Sequence, residues 1–117
     1  MKEFLLLFRM DILTKDAQPT DAQMKKYMVQ WMKWIDGITA KGQLIEGGNH
    51  LLPVGTVLRK DFADSNKPYV ARKESVTGYI IILAKDMKQA TAIAKKCPIL
   101  KGDGTSVEVR EIATSID

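Results

Sequence analysis

The stretch Thr77-Gly78-Tyr79-Ile80-Ile81-Ile82-Leu83-Ala84 decides how the rest of the chain is read. Branched and aromatic side chains fill it almost without a polar break, which predicts a strand. Both of its alternating phases are apolar, so the strand needs cover on both faces. Immediately after it, Asp86 with Gln89 three positions on is an N-cap signature. The helix that follows carries Met87, Ala90, Ile93, Ala94 and Cys97 and is stopped by Pro98. Beyond the Gly102-Asp103-Gly104 turn, Val107 to Ile112 alternates, Val107 and Val109 facing one way, Glu108 and Arg110 the other.

The same reading extends toward the N-terminus. Phe4 to Phe8 is a second unbroken apolar run flanked by charge, again a strand buried on both faces. A polar connection, Asp11 to Pro19, leads to Thr20, and Gln23 three residues later completes a capping-box pattern. From there Met24, Tyr27, Met28, Trp31, Trp34, Ile35 and Ile38 recur at three- and four-residue steps, one stripe of an amphipathic helix that Gly42 is placed to end. Gln43 to Leu52 reads as a strand bent at Gly47-Gly48 and ended by Pro53. Gly55 to Lys60 reads as a further short strand, and Asp61 to Lys67 as a polar turn.

Strand, helix, strands, helix, strand is the order of an α+β, ferredoxin-like split βαβ fold: an antiparallel sheet with two helices on one face. At 117 residues the chain is expected to form a single domain, residues 1–117. Two helices cover only one side of such a sheet, and the strands at Phe4–Phe8 and Tyr79–Leu83 would leave apolar side chains on the other. Monomers seldom leave such a patch open. A homodimer through the sheet face is therefore expected.

Composition narrows the class. With 45% apolar and 27% charged residues the chain is not of the disordered type. The net charge of +4 is spread along it: residues 1–60 hold nine basic and six acidic side chains, residues 61–117 nine and eight. That is a mixed, solvated surface rather than a nucleic-acid face. One aromatic among the aliphatic neighbours of Tyr79 is too few for a base-stacking sheet, so no nucleic acid is expected as a partner. The apolar run near the N-terminus, five residues long, is too short for a signal core or a membrane span. No membrane association is expected, and a cytoplasmic location follows by elimination. One cysteine allows no internal disulfide.

Several segments together resemble the YCII-related, or DGPF-domain, family of small bacterial proteins. They are Gly47-Gly48 followed by Leu and Pro, Lys73-Glu74 ahead of Gly78-Tyr79, the Asp-capped helix with Ala90, Cys97-Pro98, and Glu108-Val109-Arg110. The resemblance implies a dimeric ferredoxin-like α/β barrel, with functions mostly uncharacterised and some relatives acting as small-molecule enzymes. Where the family usually shows Asp-Gly-Pro-Phe, this chain has Asn66-Lys67-Pro68-Tyr69, and where a Glu commonly follows it has Ala71. A His–Asp pair proposed for some relatives finds no His on the first helix, where Lys25, Lys26 and Gln30 stand.

His50, the only histidine, is the leading chemical candidate, because imidazole is the side chain that titrates near neutral pH. It follows the Gly-Gly bend, where it is either an acid/base group aimed into a cleft or a histidine on a strand rim. Glu74, just before the central strand, is either a second acid/base or orienting group or a loop anchor. Arg59, Tyr69 and Lys73 are candidate ligand binders, with Arg72 beside them, since Arg and Lys offer donors to an anion and Tyr69 a phenolic hydroxyl. Cys97, at a helix C-terminus, is placed for packing rather than attack. No recognisable metal-ligand set or phosphate-binding loop occurs, so no metal and no cofactor is implied. Two functions fit: a cofactor-free enzyme doing acid/base chemistry on a small anionic or aromatic metabolite in a cleft near the dimer interface, or a non-catalytic ligand- or partner-binding module.

Overall fold

The computed structural model describes residues 1–11, 20–58, 60, 74–102 and 104–113, and the backbone of 70–71. Its elements are β1 (Lys2–Asp11), α1 (Asp21–Ala40), β2 (Leu44–Glu46), β3 (Val70–Ala71), β4 (Glu74–Ala84), α2 (Met87–Ala94), a 3₁₀ turn (Pro98–Lys101) and β5 (Ser106–Glu111). The sheet runs β2-β4-β1-β5, with β3 also pairing to β4, and every pairing is antiparallel. This is the ferredoxin-like α+β order, with the two apolar strands β1 and β4 at the centre.

Both helices start where their caps require. The Thr20 hydroxyl accepts from the Gln23 N–H, and the Gln23 side chain accepts from the Thr20 N–H. The Asp86 carboxylate accepts from the Gln89 N–H, while Gln89 reaches back to the N–H of Lys85. The end of α1 is equally local. Gly42 takes φ +67°, its N–H returning to Thr39 and that of Gln43 to Ile38, which satisfies two terminal carbonyls.

One face of the central strands, Phe4, Leu6 and Phe8 with Ile80, Ile82 and Ala84, is buried against Trp31 and Ile38 of α1, Ala90 and Ala94 of α2, and Cys97 and Ile99. Trp34 joins the two helices by donating its Nε1–H to the Ile93 carbonyl at 3.1 Å. Leu5, Leu7, Tyr79, Ile81 and Leu83 occupy the opposite face and are only half-buried. Beside them Arg9 and Glu108 form a part-buried ion pair at 2.6 Å. Among the described residues no helix lies over this second face, and no helix is long and apolar enough to cross a membrane.

Three departures from the sequence reading concern the edge of β4. The strand expected over Gln43–Leu52 forms only at Leu44–Glu46, with a single bridge at His50. β4 itself begins at Glu74 rather than Thr77 and pairs along its whole length with β1, with an extra residue, Thr77, between the partners of Phe8 and Arg9. The strand expected over Gly55–Lys60 does not form as a ladder in its described part; only Val57 is bridged. The reason is occupancy. The outer edge of β4 is already taken by Leu44–Glu46, by His50 opposite Gly78, and by Val70–Ala71. Leu52, Val54 and Leu58 are left 78%, 75% and 72% exposed beside that edge.

Candidate functional site

Beside the bulge in β4, α1 does not close down on the sheet, and a cleft of about 760 Å³ opens there. Its floor is Phe8, Met10, Thr77 and Gly78, and its helix wall runs from Gln23 to Trp31. The remaining sides are Pro98, Ile99, Lys101, Gly102 and Thr105, and the pair His50-Leu51. The volume would admit a small molecule, and the lining mixes aromatic, methionine and isolated polar groups.

His50 reaches the cleft because two glycines let the chain cross β4 closely. Gly48 takes φ +64°, and a Cβ on it would overlap the carbonyl of Tyr79. Its N–H is held by the Glu46 carboxylate at 3.0 Å, and the next residue, Asn49, donates from Nδ2 to the Tyr79 hydroxyl at 3.2 Å. His50 then pairs with Gly78, and the Leu51 N–H donates to the Thr77 carbonyl at 2.8 Å. A Cβ at position 78 would stand 3.0 Å from the Asn49 carbonyl oxygen and 3.7 Å from His50 Nδ1. Glycine at that position therefore leaves room for the Asn49 carbonyl, while the imidazole stands at ordinary van der Waals distance. The exposed His50 ring lies 5.7 Å from the buried Trp31 ring, tilted by 50°. Trp31 in turn packs edge-on to Phe8 at 4.9 Å. His50, Phe8 and Trp31 also line a second, smaller hollow of about 40 Å³ with Gly48, Asn49 and Tyr79.

Glu74 stands elsewhere. It is the first residue of β4, paired in register with Asp11, half-buried, and not part of the cleft lining. Its Oε1 is buried with no hydrogen-bond partner among the described residues. Arg59, Tyr69, Arg72 and Lys73 lie outside the described residues, as do Asp61–Lys67 and the Asn66–Tyr69 signature positions.

The structure adds residues the sequence did not single out. Among the described residues Asp11 is the carboxylate in the cleft lining, close to the turn at Gly104, where an added Cβ would come 3.2 Å from the Asp11 Cβ. Lys26 and Lys101 also line the cleft. A polar stripe Gln23, Lys26, Gln30 was readable beside the apolar stripe of α1, but nothing in it indicated a cleft. Asp11 read as the start of a connection, because its place opposite Glu74 exists only once β1 and β4 are in register.

Two groups near the cleft, the half-buried Tyr27 and the buried Cys97, are chemically quiet. Burial pushes the Tyr27 phenol well above its ordinary range, and the neighbouring Cys97 adds to the effect. Burial pushes the Cys97 thiol up to about 12, against a smaller opposing influence of the Ile99 backbone. Tyr27 can donate a hydrogen bond at neutral pH but does not act as a base there, and Cys97 is a packing residue rather than a nucleophile. Among the described residues no three His, Cys, Asp or Glu side chains gather where they could hold a metal ion.

Against known proteins, the family model of the YCII-related domain matches residues 9–113. That span takes in every element from the end of β1 to β5. No curated protein matches the chain.

Proposed function

The chain belongs to the YCII-related domain family, and from that premise we propose that it is a cofactor-free protein that binds a small metabolite in the 760 Å³ cleft and does acid/base chemistry on it. The observation that carries this reading is the delivery of His50 to the cleft wall, against Trp31, by a glycine-dependent crossing of β4. An imidazole there can take a proton from an acidic position of the ligand and return it to another, an isomerisation that needs no further reactant. Asp11 is the carboxylate within the same lining. A non-catalytic binding module of the same fold is the second reading, and the position of Glu74 outside the cleft favours it.

The working unit in this proposal is a homodimer formed through the sheet face. Leu5, Leu7, Ile81 and Leu83 lie on the side of the central strands that neither helix covers. A second copy of that face supplies the matching cover. Light scattering at micromolar concentration is expected to give twice the chain mass, and Leu7→Glu to give one chain mass with the helical content retained. A wild-type monomer refutes the dimer.

The test of the cleft is a metabolite screen by thermal shift, repeated on His50→Gln. Ligands that stabilise the wild type should also be turned over or exchange a proton with solvent, and exchange should stop in the variant. Binding without exchange in either protein selects the binding module. A binding profile identical in the two proteins removes His50 from the site.

A further inference from the structure

Among the described residues the cleft lining holds two lysines and one aspartate. Lys26 and Gln30 are one helical turn apart on α1, so they share a face. The Lys101 ammonium, at the end of the 3₁₀ turn on the facing segment, donates to Gln30 Oε1 at 3.2 Å. Gln30 thus has its carbonyl oxygen committed to the Lys101 ammonium, a second lysine one helical turn away, and amide N–H groups that can donate. All three residues line the cleft. The carboxylate of the lining, Asp11, lies by the Gly104 turn. Phe8, Trp31, Met10 and Met28 provide the apolar surface.

We infer that the cleft takes an amphipathic monoanion: a carboxylate held by Lys26, Gln30 and Lys101, with an apolar or aromatic body lying along Trp31 and Phe8. The inference rests on the reading of this cleft as the ligand site and adds the charge of the ligand and the wall that recognises it. Donors from α1 and from the facing 3₁₀ turn make a charge-assisted contact that a neutral ligand of the same shape cannot make. Because the two lysines are exposed, replacing them removes that contact without opening the core.

The test compares three probes of nearly the same shape, hydrocinnamate, hydrocinnamamide and phenylpropylamine, by calorimetry and by the combined fluorescence of Trp31 and Trp34. The full chain is used as wild type and as Lys26→Met/Lys101→Met, with melting curves to show that both are folded. Hydrocinnamate is expected to bind about ten-fold or more tighter than the amide, and the amine weakest. In the double variant the acid should fall to the affinity of the amide, with the amide unchanged. The advantage of the acid should also shrink as salt is raised. Equal binding of acid and amide to the wild type, or an advantage that survives the double variant, overturns the anion while leaving the cleft as a site. Failure of all three probes to bind overturns the cleft reading and the anion with it.

Discussion

Gly47 and Gly48 are neighbours in sequence, yet their substitution by alanine should have very different consequences. A Cβ at Gly47 meets nothing within 4 Å, whereas one at Gly48, where φ is +64°, overlaps the backbone carbonyl of Tyr79. The left-handed conformation alone costs an alanine about 1–2 kcal/mol. Relieving the overlap requires the 48–51 segment to lift from β4, which breaks the Leu51 N–H to Thr77 carbonyl hydrogen bond, worth about 1 kcal/mol. The sum for Gly48→Ala is about 2–3 kcal/mol. For a domain of this size that corresponds to a fall in Tm of about 8–12 °C. Gly47→Ala should stay within about 2 °C of the wild type. Thermal unfolding followed by circular dichroism measures both. The His50 imidazole resonances report whether the side chain has moved relative to the Trp31 ring, and they should shift in Gly48→Ala alone. Equal melting temperatures, or a Gly48→Ala protein with unshifted His50 resonances, would refute the claim that this crossing positions the histidine.

Thr20→Ala removes the acceptor for the Gln23 N–H and should cost about 1 kcal/mol in a urea unfolding curve, with most of it recovered in Thr20→Ser. Gly37, inside α1 with nothing within 4 Å of an added Cβ, should give an alanine variant more stable by about 0.5–1 kcal/mol, again by urea midpoint. Burial holds the Cys97 thiol at about 12 in the folded chain against 9.0 as its ordinary value. The unfolded chain therefore releases that proton first, and stability should be undiminished below pH ~9 and fall as pH rises from there toward 12. Comparing the pH 8-to-10.5 drop in Cys97→Ala with that of the wild type isolates this contribution, on the order of 1–2 kcal/mol. A thiol reagent at pH 8 should likewise label Cys97 only after unfolding, and fast labelling of the native chain would refute its burial.

Much of the fold was legible because its signals are local. The capping pairs Thr20–Gln23 and Asp86–Gln89 form as read, and the stripe from Tyr27 to Ile38 meets the core along its length. The central places of β1 and β4 followed from their apolar content in both phases together with the order of elements. Beyond such local signals, legibility ended at the edge of β4. Gly55–Lys60 has strand-like residues, but the pairing goes to Val70–Ala71 at the base of the same strand. Local propensity does not say which segment reaches an edge first, since that depends on how much edge is already taken.

The candidate site divides along the same line. His50 was legible as chemistry, from being the only imidazole and from the Gly-Gly bend before it. Asp11, Lys26 and Lys101 were not, because they come from β1, α1 and the 3₁₀ turn and become neighbours only through the cleft. Glu74, grouped with His50 by sequence, stands opposite the lining residue Asp11 but is not itself part of the cleft lining.

The sequence by itself determined the two helices and the two central strands of this protein, because caps, helical period and alternation act over a few residues. Only the tertiary structure decided where a ligand could sit. The extra residue at Thr77 and the close crossing at Gly48 and Gly78 set which side chains share one volume. A register of that kind is a property of two paired strands, which neither strand carries in its own residues.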